Sequence, residues 1–242
     1  MFLNTCNTCY TYLCSGKPQE ITMKFIFDLD GTLYNFDDLE GKKFYESRFY
    51  GKIKENIYSF LCDRLKYSNE QIKLELEFAD KNYSSEYSLY FESKFGISRY
   101  DYFEYCFNLE PKEFIKKNSD LPKLFKQIQG NALILTAAPK AWASKALDFL
   151  DLTQYVGDLL ITGEPNIRKP NPEVFRQALN VLNAKPENTI SIGDQEHSDI
   201  IPAKSIGLKT AIIGKSNFAD YELKDVNEMI KLVRGLNEKD NN

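Results

Sequence analysis

Short apolar runs alternate along most of the chain with stretches in which apolar residues recur every three or four positions. The runs predict five strands, at residues 24–27, 131–135, 159–162, 189–192 and 210–213. The periodic stretches predict helices at residues 120–129, 140–150, 173–182 and 198–206. Strands that alternate with helices are typical of a parallel sheet covered on both faces, so we predict a three-layer α/β/α core.

One long segment interrupts this alternation. Between Phe36 and Phe114 the apolar spacing is helical, for example at residues 72–78 and 83–91, and the segment holds 20 of the chain's 32 phenylalanines and tyrosines. We predict a helical cap at residues 36–118, inserted after the first strand of a core at 23–35 and 119–236. Its aromatic rings either pack a small bundle or line a pocket in part. Residues 237–242 are predicted to be a polar, fraying tail.

Composition narrows the classes of protein. Of the 242 residues, 43% are hydrophobic and 27% are charged, with a net charge of −4 and a pI near 5.3. This composition is typical of globular proteins. The chain lacks the excess of basic residues with which proteins bind nucleic acid polymers. No apolar run approaches the roughly 18 residues of a membrane span. We therefore expect neither nucleic acid nor a membrane as a partner.

The cysteines cluster at the beginning of the chain. Cys6 and Cys9 form a C-x-x-C pair, and Cys14 follows. Such a pair is either a redox couple or half of a metal site, but no second pair or histidine pair completes a zinc site. Residues 1–22 also lack the features of a signal peptide. We predict a flexible, dispensable extension at 1–22 and, from the odd cysteine count, a reducing, cytoplasmic location.

Histidine chemistry is almost excluded, because His197 is the chain's single histidine. No Ser-His-Asp triad can be built around another position, and no multi-histidine zinc site can form. Carboxylates, lysines, hydroxyls or thiols must therefore carry any reaction.

Polar residues follow the predicted strands where parallel strands place ligands, beyond their carboxyl ends. Clustered carboxylates repel one another and normally need a divalent cation. Oxygen ligands without histidine favour Mg²⁺. The candidate residues at these strand ends are Asp28, Asp30, Thr136, Lys169, Asp194 and Asp199.

Four segments, in this order, closely resemble the four motifs of the haloacid dehalogenase superfamily of phosphohydrolases. Residues 28–32 read D-L-D-G-T, residues 133–136 read L-I-L-T, Lys169 follows, and the fourth motif runs from Gly193 to Asp199. The similarity extends from residue 24 to about residue 213. It implies a Rossmann-like core, a helical cap and hydrolysis of a phosphate ester with Mg²⁺.

The resemblance also implies roles. Asp28 would be the nucleophile that forms an aspartyl-phosphate, and Asp30 the general acid and then the general base. Mg²⁺ would be held by Asp28, the backbone carbonyl of Asp30, and Asp194. Thr136 and Lys169 would bind the phosphoryl group. Asp199 would hold the site residues in place without contacting the substrate. The carboxylate at position 30 favours a phosphate ester over dehalogenase or phosphonate chemistry.

Some positions depart from the family pattern or stay open. Ala137 and Ala138 follow Thr136 where the family usually has Asn or Gly, although their backbone N–H groups can still donate to phosphate. His197 is expected to face solvent. The alternative is that it contacts the substrate or a metal-bound water. Arg168 is either a solvated charge or a contact for a substrate anion.

The expected partner is a small phosphorylated metabolite, and the sequence makes no prediction of oligomeric state. Segments at 28–34, 100–103, 121–136 and 142–152 look like the pyrimidine 5′-nucleotidase branch, which makes a nucleoside 5′-monophosphate the first expectation for the substrate. A sugar phosphate or a phosphoglycolate-like compound is the main rival. The sequence is also compatible with a phosphomutase and with a catalytically silent binding protein of the same fold.

Overall fold

The computed structural model describes residues 23–39, 44–83 and 86–239. The predicted extension at 1–22, with Cys6, Cys9 and Cys14, lies outside the described residues, as do residues 240–242. Within the described ranges, no helix combines the length and the hydrophobicity that a bilayer span requires.

Six parallel strands form one sheet in the order β3-β2-β1-β4-β5-β6. β1 lies near its centre, with Phe27 in register with Ile134 of β2 and Ile192 of β4. The prediction of a parallel α/β sheet is confirmed. The strands are β1 (Lys24–Phe27), β2 (Ala132–Leu135), β3 (Leu160–Ile161), β4 (Thr189–Gly193), β5 (Lys209–Ile213) and β6 (Tyr221–Leu223).

Helices cover both faces of the sheet. β1 is apolar at successive positions because alternate side chains enter different clusters: Phe25 and Phe27 on one face, and Ile26 on the other. The helices of the core are α5 (Leu121–Gln127), α6 (Lys140–Phe149), α7 (Thr153–Val156), α8 (Pro172–Val181), α9 (Ile201–Ser205) and α10 (Val226–Lys239).

Four helices follow β1 before the core resumes. Ser47 caps α1 by accepting from the Tyr50 N–H, and Gly96 ends α3 in the left-handed region that favours glycine. Phe49 of α1 packs against Trp142 of α6, with 4.4 Å between ring centroids, so these helices share an apolar cluster with the sheet. The four are α1 (Arg48–Leu65), α2 (Asn69–Tyr83), α3 (Tyr87–Phe95) and α4 (Arg99–Cys106).

Two parts of the sequence expectation differ from the structure in detail. Residues 237–239 of the predicted polar tail form the last turn of α10, whose earlier residues Met229, Ile230 and Val233 are buried. The helix predicted at 198–206 is instead a π-helical turn, Glu196–Ile200, followed by the short α9. The wider turn carries Asp199, whose backbone N–H still donates to the carbonyl of Gln195.

Candidate active site

The predicted polar residues meet at the carboxyl edge of the sheet. Asp28 directly follows β1, and its N–H donates to the carbonyl of Ile192 in β4 at 2.8 Å. Thr136 directly follows β2, and its N–H donates to the carbonyl of Ile161 in β3 at 3.0 Å. Because the three central strands end side by side, side chains far apart in sequence become neighbours.

Lys169 links two of the carboxylates. Its Nζ lies 2.5 Å from Oδ1 of Asp28 and 2.6 Å from Oδ1 of Asp199, and all three side chains are buried. Burial alone would lower the pKa of Lys169, but the two carboxylates raise it above its usual range. The ammonium group therefore stays charged and holds Asp28 in one orientation.

Glycines make room for the remaining carboxylates. Gly31 has φ +82°, and a Cβ there would lie 2.3 Å from Oδ2 of Asp194. A Cβ at Gly193 would likewise lie 2.3 Å from Oδ2 of Asp199. Both distances are far below van der Waals contact, so any side chain at these positions would displace an aspartate of the site.

The acidic cluster fits a hard divalent cation. Carboxylate oxygens of Asp28, Asp194 and Asp199 lie within 4.8 Å of one another. Oδ1 of Asp194 is buried and has no hydrogen-bond partner among the described residues. Burial, followed by the charge of Asp199, raises the pKa of Asp194 to about 7. An orphaned carboxylate oxygen beside two others, with a single lysine to balance them, is the donor set that such a cation requires.

Asp30 lies apart from this cluster, although it is only two residues from Asp28. Its Oδ1 accepts hydrogen bonds from Nε1 of Trp142, at 2.9 Å, and from the hydroxyl of Tyr34. Burial raises the pKa of Asp30, while these two hydrogen bonds and Lys169 oppose the rise. The two carboxyl groups of one short loop therefore have different environments, as separate nucleophilic and acid–base roles require.

Thr136 presents a hydroxyl at the same edge. Its Oγ1 accepts from the N–H of Ala138 at 3.0 Å, which leaves its own O–H to donate. This contact occupies the Ala138 N–H, which was expected from the sequence to be available to phosphate. Ala137 lines the cavity in front of the site.

A cavity of about 450 Å³ opens in front of these residues. Asp28, Asp30, Thr136 and Asp194 line it, together with the polar residues Asn35 and Gln195. A volume of this size is typical of cavities that bind small molecules. The aromatic rings that line it are Phe36, Phe44, Phe49, Phe103, Phe107 and Trp142.

His197 and Arg168, whose roles the sequence left open, lie at different places in the structure. His197 is exposed and is not among the described residues that line this cavity. Arg168 is neither fully solvated nor at the acidic cluster: its guanidinium pairs with Glu86 at 3.2 Å, beside a second cavity. Sequence reasoning missed the contacts of Tyr34 and Trp142 with Asp30.

The chain belongs to a known family. A family model described as haloacid dehalogenase-like hydrolase matches residues 24–207, which is more than half of the chain. The protein is therefore a member of the haloacid dehalogenase-like hydrolases, and the predicted superfamily and hydrolase class are confirmed. The pyrimidine 5′-nucleotidase branch stays a prediction.

Individual proteins with known names share only part of their sequence with this chain. The chain is 35% identical to a glyceraldehyde 3-phosphate phosphatase of Pyrococcus furiosus over 75 residues, which cover 31% of each protein. It is 25% identical to pyrophosphatase PpaX of Bacillus cereus over 225 residues, which cover 88% of this chain and 96% of the relative. A HAD phosphatase structure from Thermococcus onnurineus aligns with a TM-score of 0.59 and 21% identity, over 88% of this chain and 98% of that one. The last likeness shows the fold alone.

Proposed function

We propose that this protein is a Mg²⁺-dependent phosphatase that hydrolyses a small phosphomonoester through an aspartyl-phosphate. The observation that carries the proposal is the pair of carboxyl groups after β1. Asp28 is held by Lys169 beside an acidic cluster, and Asp30 is held separately by Trp142. The names of the P. furiosus and B. cereus relatives, a phosphatase and a pyrophosphatase, support phosphoryl chemistry.

Asp28 is the nucleophile of the proposed reaction. One of its oxygens forms a bond to phosphorus while the bond from phosphorus to the ester oxygen breaks. Oδ1 is anchored by Lys169 at 2.5 Å, whereas Oδ2 accepts from the more distant Thr32 hydroxyl at 3.2 Å. Oδ2 is therefore the freer oxygen for attack. Lys169, together with the O–H of Thr136, stabilises the charge on the transferring group.

Asp30 moves the protons. Burial raises its pKa and so favours the protonated carboxyl, which can donate to the departing ester oxygen. The resulting carboxylate then accepts a proton from the water that attacks the phosphorus of the aspartyl-phosphate. That step releases inorganic phosphate and restores Asp28 and Asp30 to their starting states.

The acidic cluster would hold the cation. Asp28 and Asp194, together with the backbone carbonyl of Asp30, are the proposed ligands, and Asp199 keeps Lys169 in place at 2.6 Å. When bound, Mg²⁺ reduces the repulsion between the carboxylate nucleophile and the phosphate anion.

The cavity limits the leaving group to a small molecule. Its six aromatic rings suit the base of a nucleoside 5′-monophosphate, which stays the first prediction from the sequence. Phe49 and Trp142 also pack against each other, so the same rings serve the apolar core. A sugar phosphate or phosphoglycolate-type compound is the second candidate within the same mechanism.

A panel of phosphomonoesters tests the proposal. With Mg²⁺ we expect release of inorganic phosphate from p-nitrophenyl phosphate and from at least one nucleotide, sugar phosphate or phosphoglycolate. Excess EDTA should abolish the release, and added Mg²⁺ should restore it. Full activity in EDTA would contradict the metal site. Ligand-induced stabilisation without turnover would favour a binding protein, and a requirement for a bisphosphate without free phosphate would favour a mutase.

Mg²⁺ binding should depend on pH through Asp194. Its carboxyl has a pKa of about 7 without metal, so below that pH a proton competes with the cation. We expect the apparent affinity for Mg²⁺ to fall about tenfold per unit as the pH drops below 7, and to level off above it. Calorimetric titration with MgCl₂ across this range measures the effect.

Two aspartate variants accompany this titration: Asp194→Asn is the test, and Asp158→Asn is its matched control. Asp194→Asn should remove Mg²⁺ binding at every pH, whereas Asp158→Asn, at an exposed position outside the cavities, should keep the parent profile. If the affinity for Mg²⁺ were the same below and above pH 7, the prediction would be wrong. Asp194 would then not be a Mg²⁺ ligand whose carboxyl group titrates in this range.

A further inference from the structure

A second cavity of about 290 Å³ lies between the core and helices α1, α3 and α4. It is adjacent to the cavity at Asp28, because Phe44, Phe103, Phe107 and Ala137 line both. Lys169, whose ammonium group contacts Asp28, also lines this second cavity. The second cavity therefore borders the phosphoryl site, and the two cavities share part of their walls.

Arg99 is a buried cation in the wall of this cavity. Only 4% of the residue is exposed, and it begins α4, where the positive end of the helix dipole disfavours a cation. Its hydrogen bonds go to neutral groups, Oγ of Ser88 at 3.3 Å and Oδ1 of Asn166 at 3.4 Å. In the described ranges of the chain, no carboxylate lies within ion-pair distance of its guanidinium.

The rest of the wall adds to the positive charge. Arg168 and Lys169 also line the cavity, and Glu86 is the single carboxylate among the described lining residues. Glu86 is paired with Arg168 at 3.2 Å, and Lys169 is paired with Asp28 and Asp199. Burial, followed by the nearby charge of Arg168, lowers the pKa of Arg99, while Glu86 and Glu92 oppose the fall without reversing it.

A buried guanidinium without an anion is costly, and a planar fork of N–H donors suits a carboxylate or phosphate. We propose that this cavity is a second anion subsite, in which Arg99 binds an acidic group on the leaving-group side of the substrate. The inference rests on the proposed phosphatase function and narrows its substrate class. It ranks small phosphate compounds that carry a second anionic group above nucleoside monophosphates.

Arg168 has a supporting place in the same subsite. Its side chain is 20% exposed, and its partner Glu86 is half exposed. The ion pair between Arg168 and Glu86 is weak, because the Glu86 side chain is half exposed to solvent. A substrate anion can therefore compete with Glu86 for this guanidinium at low cost. Arg99 has no such partner to displace, so we assign it the larger share of the recognition.

The kinetic test compares substrates with and without the second anion. Phosphoglycolate supplies a carboxylate, inorganic pyrophosphate supplies a phosphate, and p-nitrophenyl phosphate and UMP supply neither on the leaving group. We expect the ratio of kcat/KM for the preferred substrate with a second anionic group over that for p-nitrophenyl phosphate to fall about 10- to 100-fold in Arg99→Gln, chiefly through KM. Arg168→Gln should lower it by a smaller factor.

Controls separate recognition from structure. Arg176→Gln changes an exposed arginine of α8 that pairs with Glu173, so the ratio should match that of the parent. An equal loss on every substrate in Arg99→Gln would assign Arg99 a structural role and overturn the proposal. A parent enzyme that prefers UMP over both substrates with a second anionic group would also overturn the proposal.

A binding experiment keeps the inference testable even if the chain hydrolyses none of these compounds. Phosphonoacetate carries a phosphonate and a carboxylate, whereas methylphosphonate lacks the carboxylate. The subsite predicts greater thermal stabilisation of the parent by phosphonoacetate, and Arg99→Gln should remove that difference. Equal stabilisation of the parent by the two compounds would overturn the subsite, whereas absent turnover alone would overturn the phosphatase proposal.

Discussion

Replacing Asp28 with asparagine is expected to lower kcat by about 10⁴-fold or more. The amide cannot form the acyl-phosphate bond, and Asp199, the other carboxylate that is paired with Lys169, is held in place by Lys169 and by the Gln195 N–H. The measurement is the initial rate of phosphate release at saturating substrate with Mg²⁺. Acid quenching followed by intact-mass analysis should detect a phosphorylated chain in the parent and none in Asp28→Asn.

The comparison for Asp28→Asn is Asp158→Asn, which changes the same functional group at an exposed position. Asp158→Asn should keep the parent rate. A cooperative thermal transition in both variants would show that lost activity is not lost folding. A rate in Asp28→Asn within tenfold of the parent would refute Asp28 as the nucleophile.

Asp30→Asn should slow turnover by about 10²- to 10⁴-fold, the range for loss of a general acid–base group. Asparagine keeps an oxygen acceptor for Trp142 and Tyr34, so the loop geometry should survive. With p-nitrophenyl phosphate, whose leaving group needs little protonation, the first step should suffer less than hydrolysis of the aspartyl-phosphate. We therefore expect a burst of p-nitrophenol and accumulation of the phosphorylated chain.

The burst distinguishes this variant from Asp28→Asn. Loss of Asp28 prevents the covalent bond, whereas loss of Asp30 slows its hydrolysis. Rapid-quench kinetics on both variants and on Asp158→Asn measure the contrast. If Asp30→Asn turned over at the parent rate, or lost activity without trapped phosphoenzyme, the proposed base role would be excluded.

The sheet and the residues at its edge could be predicted from the sequence. Each central strand is a short apolar run, and parallel pairing brings the ends of such runs together, so Asp28, Thr136 and Asp194 could be grouped before any coordinates. The missed β6 has three residues, of which Tyr221 and Glu222 are exposed, and it therefore lacks the apolar run that marked the other strands.

Long-range side-chain contacts could not be predicted in this way. Trp142 lies 112 positions from Asp30, and Arg99 lies 67 positions from Asn166. Periodicity reports which face of an element is buried, not which residue of another element it meets. The environment of Asp30 and the unpaired charge of Arg99 therefore emerged only from the packing of helices α4 and α6 against the loops.

The position of Trp142 has an optical consequence. It is the only tryptophan in the chain, its indole N–H touches Asp30, and its ring packs on Phe49 of α1. All tryptophan fluorescence of this protein therefore comes from a single fluorophore, which lies between Asp30, the proposed acid–base residue, and helix α1. Occupancy of the cavity or displacement of α1 can be followed in the unlabelled chain, in real time, from the wavelength and intensity of that one signal.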